Sequence, residues 1–382
     1  MEAEPTPFLA VPEDVLDDLA ERLTRARLPN EIEGIGWDQG TDLVYLDDLL
    51  RYWRDDFDWR AQEARLNALD HVATEIDSQR IHAVHARSPE PDALPLLLVH
   101  GWPGSVVEFL DCIGPLTDPR AHGGDASDAF HVVAPSLPGF AFSGPTHERG
   151  WHPRRIAAAF TKVMDDLGYE RYGAQGGDWG SVVTANVADL RPDAVVGLHL
   201  NFVTVRSMKG TDAPDLTADE QAALARLYDW VKDGAGYQEI QGTRPQTLGY
   251  GLEDSPAGLC AWIVEKFRAW SDCDGDVERS FSKDQLLTNV MVYWITRTAT
   301  SAARIYWEMR QAGRDAVPQA RIEVPTGIAC YPAEVTRMPR AWVEQRYNVT
   351  HWAEQPRGGH FAAMEVPELF VQDVRKFFRT VR

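Results

Sequence analysis

Gly176-Gly177-Asp178-Trp179-Gly180 places a carboxylate at the centre of a G-x-Nu-x-G run, where a nucleophile sits on a sharp turn between a strand and a helix. The flanking glycines are expected to accept strained backbone angles and to leave room for tight packing, so that the central side chain stands clear of the sheet. A carboxylate held there attacks carbon, and makes an ester only with an electrophilic one. His100-Gly101-Trp102-Pro103-Gly104-Ser105 would follow a strong strand. Such a loop contributes a backbone N–H to an oxyanion hole, which the N–H of the residue after the nucleophile completes. The donors are then the amides of Trp102 and Trp179, while their indoles and Pro103 are expected in the pocket wall.

A general base comes last in this arrangement. The chain order nucleophile, acid, histidine selects His360, in Gly358-Gly359-His360 after the final predicted strand and before the final helix. Its orienting acid should follow the penultimate strand, which ends at Tyr331-Pro332-Ala333-Glu334, so Glu334 takes that part. Each segment has a plainer reading: a turn aspartate, a Gly-Pro turn, a structural histidine, a solvated loop carboxylate. Their order along the chain favours the catalytic reading.

Those side chains need elements to hold them. Pro12 opens a helix with Glu13 and Asp14 in its first turn and Val15, Leu16, Leu19 and Leu23 along one face. Thr41 can cap a second helix carrying Leu43, Leu46, Leu49, Leu50 and Trp53, and Trp59, Leu66 and Leu69 suggest a third. From Val72 the pattern turns strand-like, with a hairpin of 72–76 and 81–85. Buried-type strands at 94–100, 130–134, 172–175 and 194–200 then alternate with helices at 153–167 and 181–190, which implies a mainly parallel sheet. About a hundred helical residues follow, including one segment opened by Thr217 with Glu220 as capping-box partner. Strands return at 324–331 and 349–353, before a helix over 367–381.

Composition narrows the classes. With 382 residues, 44% hydrophobic content and 13 Trp, the chain buries a substantial core. A net charge of -20 disfavours nucleic acid and anionic membrane as partners. Cys112, Cys260, Cys273 and Cys330 show no C-x-x-C pairing, so they read as buried thiols rather than a zinc site or disulfide framework. No apolar run reaches membrane-spanning length, and Met1-Glu2-Ala3-Glu4-Pro5 lacks the marks of a signal peptide, so a cytoplasmic location is expected. Neither G-x-G-x-x-G nor G-x-x-x-x-G-K-[ST] occurs, which sets dinucleotide and P-loop enzymes aside.

The motifs HGWPGS, GGDWG, YPAEV and GGHFAAME, with the helical amino-terminal segment, resemble the microsomal-type epoxide hydrolases of the α/β-hydrolase superfamily, in their soluble microbial form. The resemblance implies an α/β-hydrolase fold: a mostly parallel eight-stranded sheet with helices on both faces, a helical cap inserted after the sixth strand, and an amino-terminal helical extension. The expected division is 1–70 for that extension, packing on the core, 71–202 and 319–382 for the core, and 203–318 for the cap. It also implies two cap tyrosines that hold the epoxide oxygen. Tyr237 and Tyr306 match best, with Tyr250 and Tyr293 as rivals. The implied activity is opening of a small, apolar or aryl epoxide to a vicinal diol without metal or cofactor. A haloalkane dehalogenase, which shares the Asp-Trp nucleophile, and a ligand-binding protein without turnover are the alternatives. A homodimer is compatible with the sequence, and a detoxifying and a biosynthetic role are equally so.

Overall fold

The computed structural model describes residues 7–205 and 215–382, so the amino-terminal pentapeptide read above lies outside the described residues. Eight strands form one sheet: β1 (His71–Ile76), β2 (Gln79–Ala86), β3 (Leu94–Val99), β4 (Phe130–Pro135), β5 (Tyr172–Gly176), β6 (Val195–Leu200), β7 (Ile322–Cys330) and β8 (Tyr347–Glu354). Their order is β1-β2-β4-β3-β5-β6-β7-β8. The hairpin β1–β2 and the pairing β2–β4 are antiparallel, and every later pairing is parallel. The apolar run of β3 explains its central place. Leu97 and Val99 enter one core layer and Leu96 and Leu98 the other, all four with no exposed surface.

Helices cover both faces. The amino-terminal helices are α1 (Glu13–Thr24), α2 (Leu43–Asp55) and α3 (Trp59–Asn67), and the core helices before the sheet midpoint are α4 (Leu110–Thr117), α5 (Pro153–Asp166) and α6 (Asp178–Leu190). Between β6 and β7 lie α7 (Ala218–Asp233), α8 (Gly236–Thr243), α9 (Pro245–Asp254), α10 (Pro256–Trp270), α11 (Lys283–Thr296) and α12 (Ala299–Ala312). The last are α13 (Arg340–Arg346), α14 (Ala362–Glu365) and α15 (Pro367–Phe378). Thr217 and Glu220 form the expected capping box on α7. The cap of α2 differs: Asp42 accepts the Tyr45 N–H, and the Thr41 hydroxyl instead donates to the Ala261 carbonyl of α10. Both residues are good caps, and the stronger acceptor one position on takes the helix end.

The amino-terminal helices touch the cap as well as the core. Phe8 stacks on His71 of β1 at 4.0 Å, whereas Arg22 donates to the Asp254 carbonyl at 2.8 Å and Tyr52 to Asp284 at 2.8 Å. All four cysteines are free, with Cys330 only partly buried. Among the described residues no helix is long and apolar enough to cross a membrane.

The site is set by the sheet order. The neighbours of β3 are β4 on one side and β5 on the other, so the chain leaves it in opposite directions and opens a crevice at the carboxyl ends of these strands. Val99 and Gly176, the last residues of β3 and β5, are register partners. The loop from His100 and the turn carrying Asp178 therefore emerge side by side.

Candidate active site

Asp178 begins α6 directly after β5 with a φ of 47°, in the left-handed region. The strain expected of the flanking glycines falls on the aspartate itself. The glycines serve close approach instead. A Cβ on Gly180 would meet the Val99 carbonyl at 1.9 Å, and one on Gly176 would meet that of Gly180 at 2.3 Å. Only glycine lets helix and strand meet so tightly, and that contact fixes where the carboxylate stands.

Each oxygen of Asp178 has its own neighbour. The Trp102 N–H donates to Oδ1 at 2.8 Å, while Oδ2 lies 3.4 Å from His360 Nε2. The Trp179 N–H belongs to the first turn of α6, where an α-helix leaves its amides without an internal acceptor. Helix α11 grips the loop that carries Trp102: Asn289 Nδ2 donates to the Pro103 carbonyl and Tyr293 to that of Gly104, both at 2.8 Å.

His360 Nδ1 faces both oxygens of Glu334, at 3.1 and 3.0 Å. Burial alone would lower the pKa of this imidazole, but the Glu334 and Asp178 carboxylates outweigh it and raise the pKa well above the usual histidine range. The loop around His360 is tied to the end of α10. The His360 N–H donates to the Trp270 carbonyl at 2.9 Å, the Gly358 N–H to Asp272 Oδ2 at 2.8 Å, and the Asp272 N–H to Glu365 Oε2 at 2.8 Å. A Cβ on Gly359 would come within 2.6 Å of the Trp270 carbonyl, so the second glycine of GGHFAAME is where the cap rests.

Above Asp178 lies a cavity of about 270 Å³, walled by Trp179, Phe202, Tyr237, Trp270 and Tyr306, with His360 at one side. Of the four candidate tyrosines only two reach it. Tyr250 is 71% exposed, and the Tyr293 hydroxyl is spent on Gly104. Burial raises the pKa of both Tyr237 and Tyr306, with the Asp178 charge adding to it, so each phenol is held protonated. Trp102 stacks under Tyr237 at 5.0 Å. The indole of Trp179 lines the cavity and packs edge to face on Tyr306, ring centroids 4.8 Å apart. Pro103, also expected in the wall, lines neither this cavity nor the smaller one behind Asp178.

Sequence reasoning passed over three residues. Trp270 and Glu365 were unplaced because their part depends on where the cap lands. Glu108, in the short turn Val106–Phe109, was not among the sequence candidates, yet it lines the small cavity beside Asp178. The surviving signal is its position eight residues beyond His100, at the end of the loop expected to build an oxyanion hole.

Comparison with known proteins agrees with this geometry. Residues 5–109 match the family described as epoxide hydrolase N terminus, and residues 95–237 match the alpha/beta hydrolase fold. The chain is 48% identical over 379 residues to a putative epoxide hydrolase of Stigmatella aurantiaca, covering 99% of this chain and 85% of that one. It is 39% identical to epoxide hydrolase 1 of Sus scrofa, covering 96% of this chain and 86% of the relative. Among solved structures, juvenile hormone epoxide hydrolase from the silkworm Bombyx mori superposes with a TM-score of 0.89 at 31% identity, over 99% of this chain and 94% of that one. The Aspergillus niger epoxide hydrolase superposes at 0.87 and 32% identity, over 100% and 97%. With a nucleophile turn, a histidine and two buried phenols around one cavity, and with relatives this similar along nearly its whole length, the chain belongs to the epoxide hydrolase family of the α/β-hydrolase fold.

Proposed function

We propose that this protein opens a small apolar or aryl epoxide to a vicinal diol in two steps, through an ester on Asp178. The observation that carries the reading is the division of labour at one carboxylate: Oδ1 is held by the Trp102 N–H at 2.8 Å, Oδ2 lies 3.4 Å from His360 Nε2, and the carboxylate lines the cavity that Tyr237 and Tyr306 also line. Oδ2 attacks the epoxide carbon and the C–O bond of the ring breaks. The oxygen that leaves takes its proton from the tyrosines, whose raised pKa keeps them able to donate at neutral pH.

Ester formation also prepares the second step. The free Asp178 carboxylate is one of the charges that hold His360 protonated, and esterification removes it. The imidazole then falls toward its ordinary pKa, gives up its proton to solvent and can accept one from the attacking water, with Glu334 fixing its tautomer. Water adds to the ester carbonyl, whose oxygen stays on the amides of Trp102 and Trp179. Collapse releases the diol. One such amide donor is worth about 100- to 1000-fold in comparable sites.

In this reading residues 203–318 act as the cap that carries both phenols, residues 71–202 and 319–382 as the catalytic core, and residues 1–70 as the layer beside them. The cavity, about 270 Å³ and walled mostly by aromatic rings, favours compact apolar epoxides. Halide displacement and binding without turnover are not favoured by the family to which the chain belongs.

A single turnover in heavy-oxygen water tests the scheme. The water oxygen should appear in the Asp178 side chain, and the first diol released should carry none. Label in that diol, with an unlabelled Asp178, would mean that water attacks the epoxide directly.

A further inference from the structure

Beside the Asp178 carboxylate a second cavity of about 20 Å³ is lined by Glu108, Asp178 and His360, by the polar side chains of His100, Gln175 and Asn201, and by apolar groups. That is room for one water and little else. Glu108 is the acid on this wall that the two-step scheme leaves without a task. Its side chain folds back over Gly104, where an added Cβ would come within 1.5 Å of Oε1, and the nearby Gly101 N–H favours its anionic form. A side chain at residue 104 would have to displace this carboxyl. The oxyanion loop is thus shaped to admit this carboxyl to the rear of the nucleophile.

The surroundings of Glu108 are those of a reacting group rather than of a surface charge. Burial pushes its carboxyl up to about 8, His360 draws it down and Asp178 drives it up. The other titratable groups nearby are His100, brought by burial down to about 4, and Tyr293 and Cys112, both raised by burial with Glu108 contributing. Among the described residues, the cation acting on Glu108 is therefore the catalytic imidazole and not an arginine or lysine.

We propose that Glu108 is a further catalytic residue of the hydrolytic half-reaction, holding together with His360 the water that attacks the Asp178 ester. The proposal rests on the two-step reading and deepens it. The water oxygen bonds to Cγ of the ester as one of its protons passes to His360 Nε2, and the carbonyl electron pair moves onto Oδ1. The second O–H is held by Glu108, which keeps an oxygen free to accept it whether or not the carboxyl is protonated. As positive charge arrives on His360, it favours the anionic form of Glu108 and is stabilised by it. Collapse re-forms the carbonyl and breaks the Cγ–O bond to the diol, which leaves with the proton from His360. The proton remaining on the Asp178 carboxyl passes to solvent, matching the one that solvent returns to the tyrosines.

The two half-reactions separate in rapid-mixing experiments with an aryl epoxide such as styrene oxide, read as formation and decay of the alkyl-enzyme by mass spectrometry after acid quench. Glu108→Ala removes the acceptor and should slow decay of the ester by about 100-fold, the cost typical of a misplaced reactant, and slow its formation far less. Glu108→Gln retains an acceptor oxygen and the side-chain shape, so it should fold as the parent does and recover a large part of the decay rate. Equal losses in both half-reactions, or an unchanged decay rate in both variants, overturn the role of Glu108. Failure of the unsubstituted enzyme to form any alkyl-enzyme would instead overturn the two-step reading, and this proposal with it.

Discussion

Trp179 and Tyr306 meet edge to face, ring centroids 4.8 Å apart at 89°. In the proposed reaction the residue after Asp178 thereby serves both ends, the oxyanion through its amide and, through its ring, the phenol that protonates the leaving oxygen. Tyr306 is fixed by core and cap together. Tyr306→Phe should slow ester formation by about 100-fold or more, the range for losing a positioned proton donor, while ester decay changes little. Stopped-flow traces of a single turnover distinguish the two. Unaltered ester formation would remove Tyr306 from the chemistry.

His360→Gln should allow the first step and block the second. The amide cannot take a proton from water, although Asp178 and Trp102 keep their 2.8 Å contact. Mass spectrometry after mixing with epoxide should find the substrate's mass added to the peptide that contains Asp178. Unmodified protein would count against covalent chemistry there.

Gly180→Ala should be far more damaging than its size suggests, because the new methyl would sit 1.9 Å from the Val99 carbonyl, backbone that cannot turn aside. A loss of about 1–3 kcal/mol or more is expected from such overpacking, read as a lower midpoint in urea, together with loss of activity as the nucleophile turn shifts. Gly251→Ala, with nothing within 4 Å, is the matched control. It lies within α9 and should gain up to about 1 kcal/mol from helix propensity.

Glu365 predicts a pH dependence. Burial raises its carboxyl to about 7, against the donated N–H groups of Asp272 and Phe361, which lower it. A carboxyl raised on folding costs nothing while both states keep the proton. The penalty grows once the unfolded chain ionises above about pH 4, and levels off when the folded group ionises too. Glu365→Gln removes the titration at the cost of one accepted N–H, so its stability relative to the parent should improve between about pH 5 and pH 8. Parallel urea curves with a constant offset across that range would show that Glu365 does not titrate as its surroundings imply.

Whether a feature of this protein shows in its sequence depends on whether the feature is local. Asp178, Glu334 and His360 announce themselves because each follows a strand end, and strand ends are marked by apolar runs and glycine. The parallel strands were legible for the same reason. Tyr237 and Tyr306 could be singled out from Tyr250 and Tyr293 only by resemblance, since the choice turns on which face of each cap helix looks down, and α8 buries polar Gln241 beside Tyr237. The strain at Asp178 was assigned to its neighbours because glycine tolerates such angles, whereas what glycine supplies here is the missing Cβ. Glu108 stayed hidden among Val106, Val107 and Phe109, where a single acid looks like the solvent side of an apolar turn.

The seat of the His360 loop on the end of α10 restricts how members of this family can trade parts. A cap transplanted from a relative would bring its own equivalent of Trp270 and Asp272, and the recipient's histidine loop, with its bare Gly359, would have to fit that foreign edge. Chimeras divided at β6 and β7 alone therefore sever a working unit, and those that carry residues 358–365 along with the donor cap keep it whole.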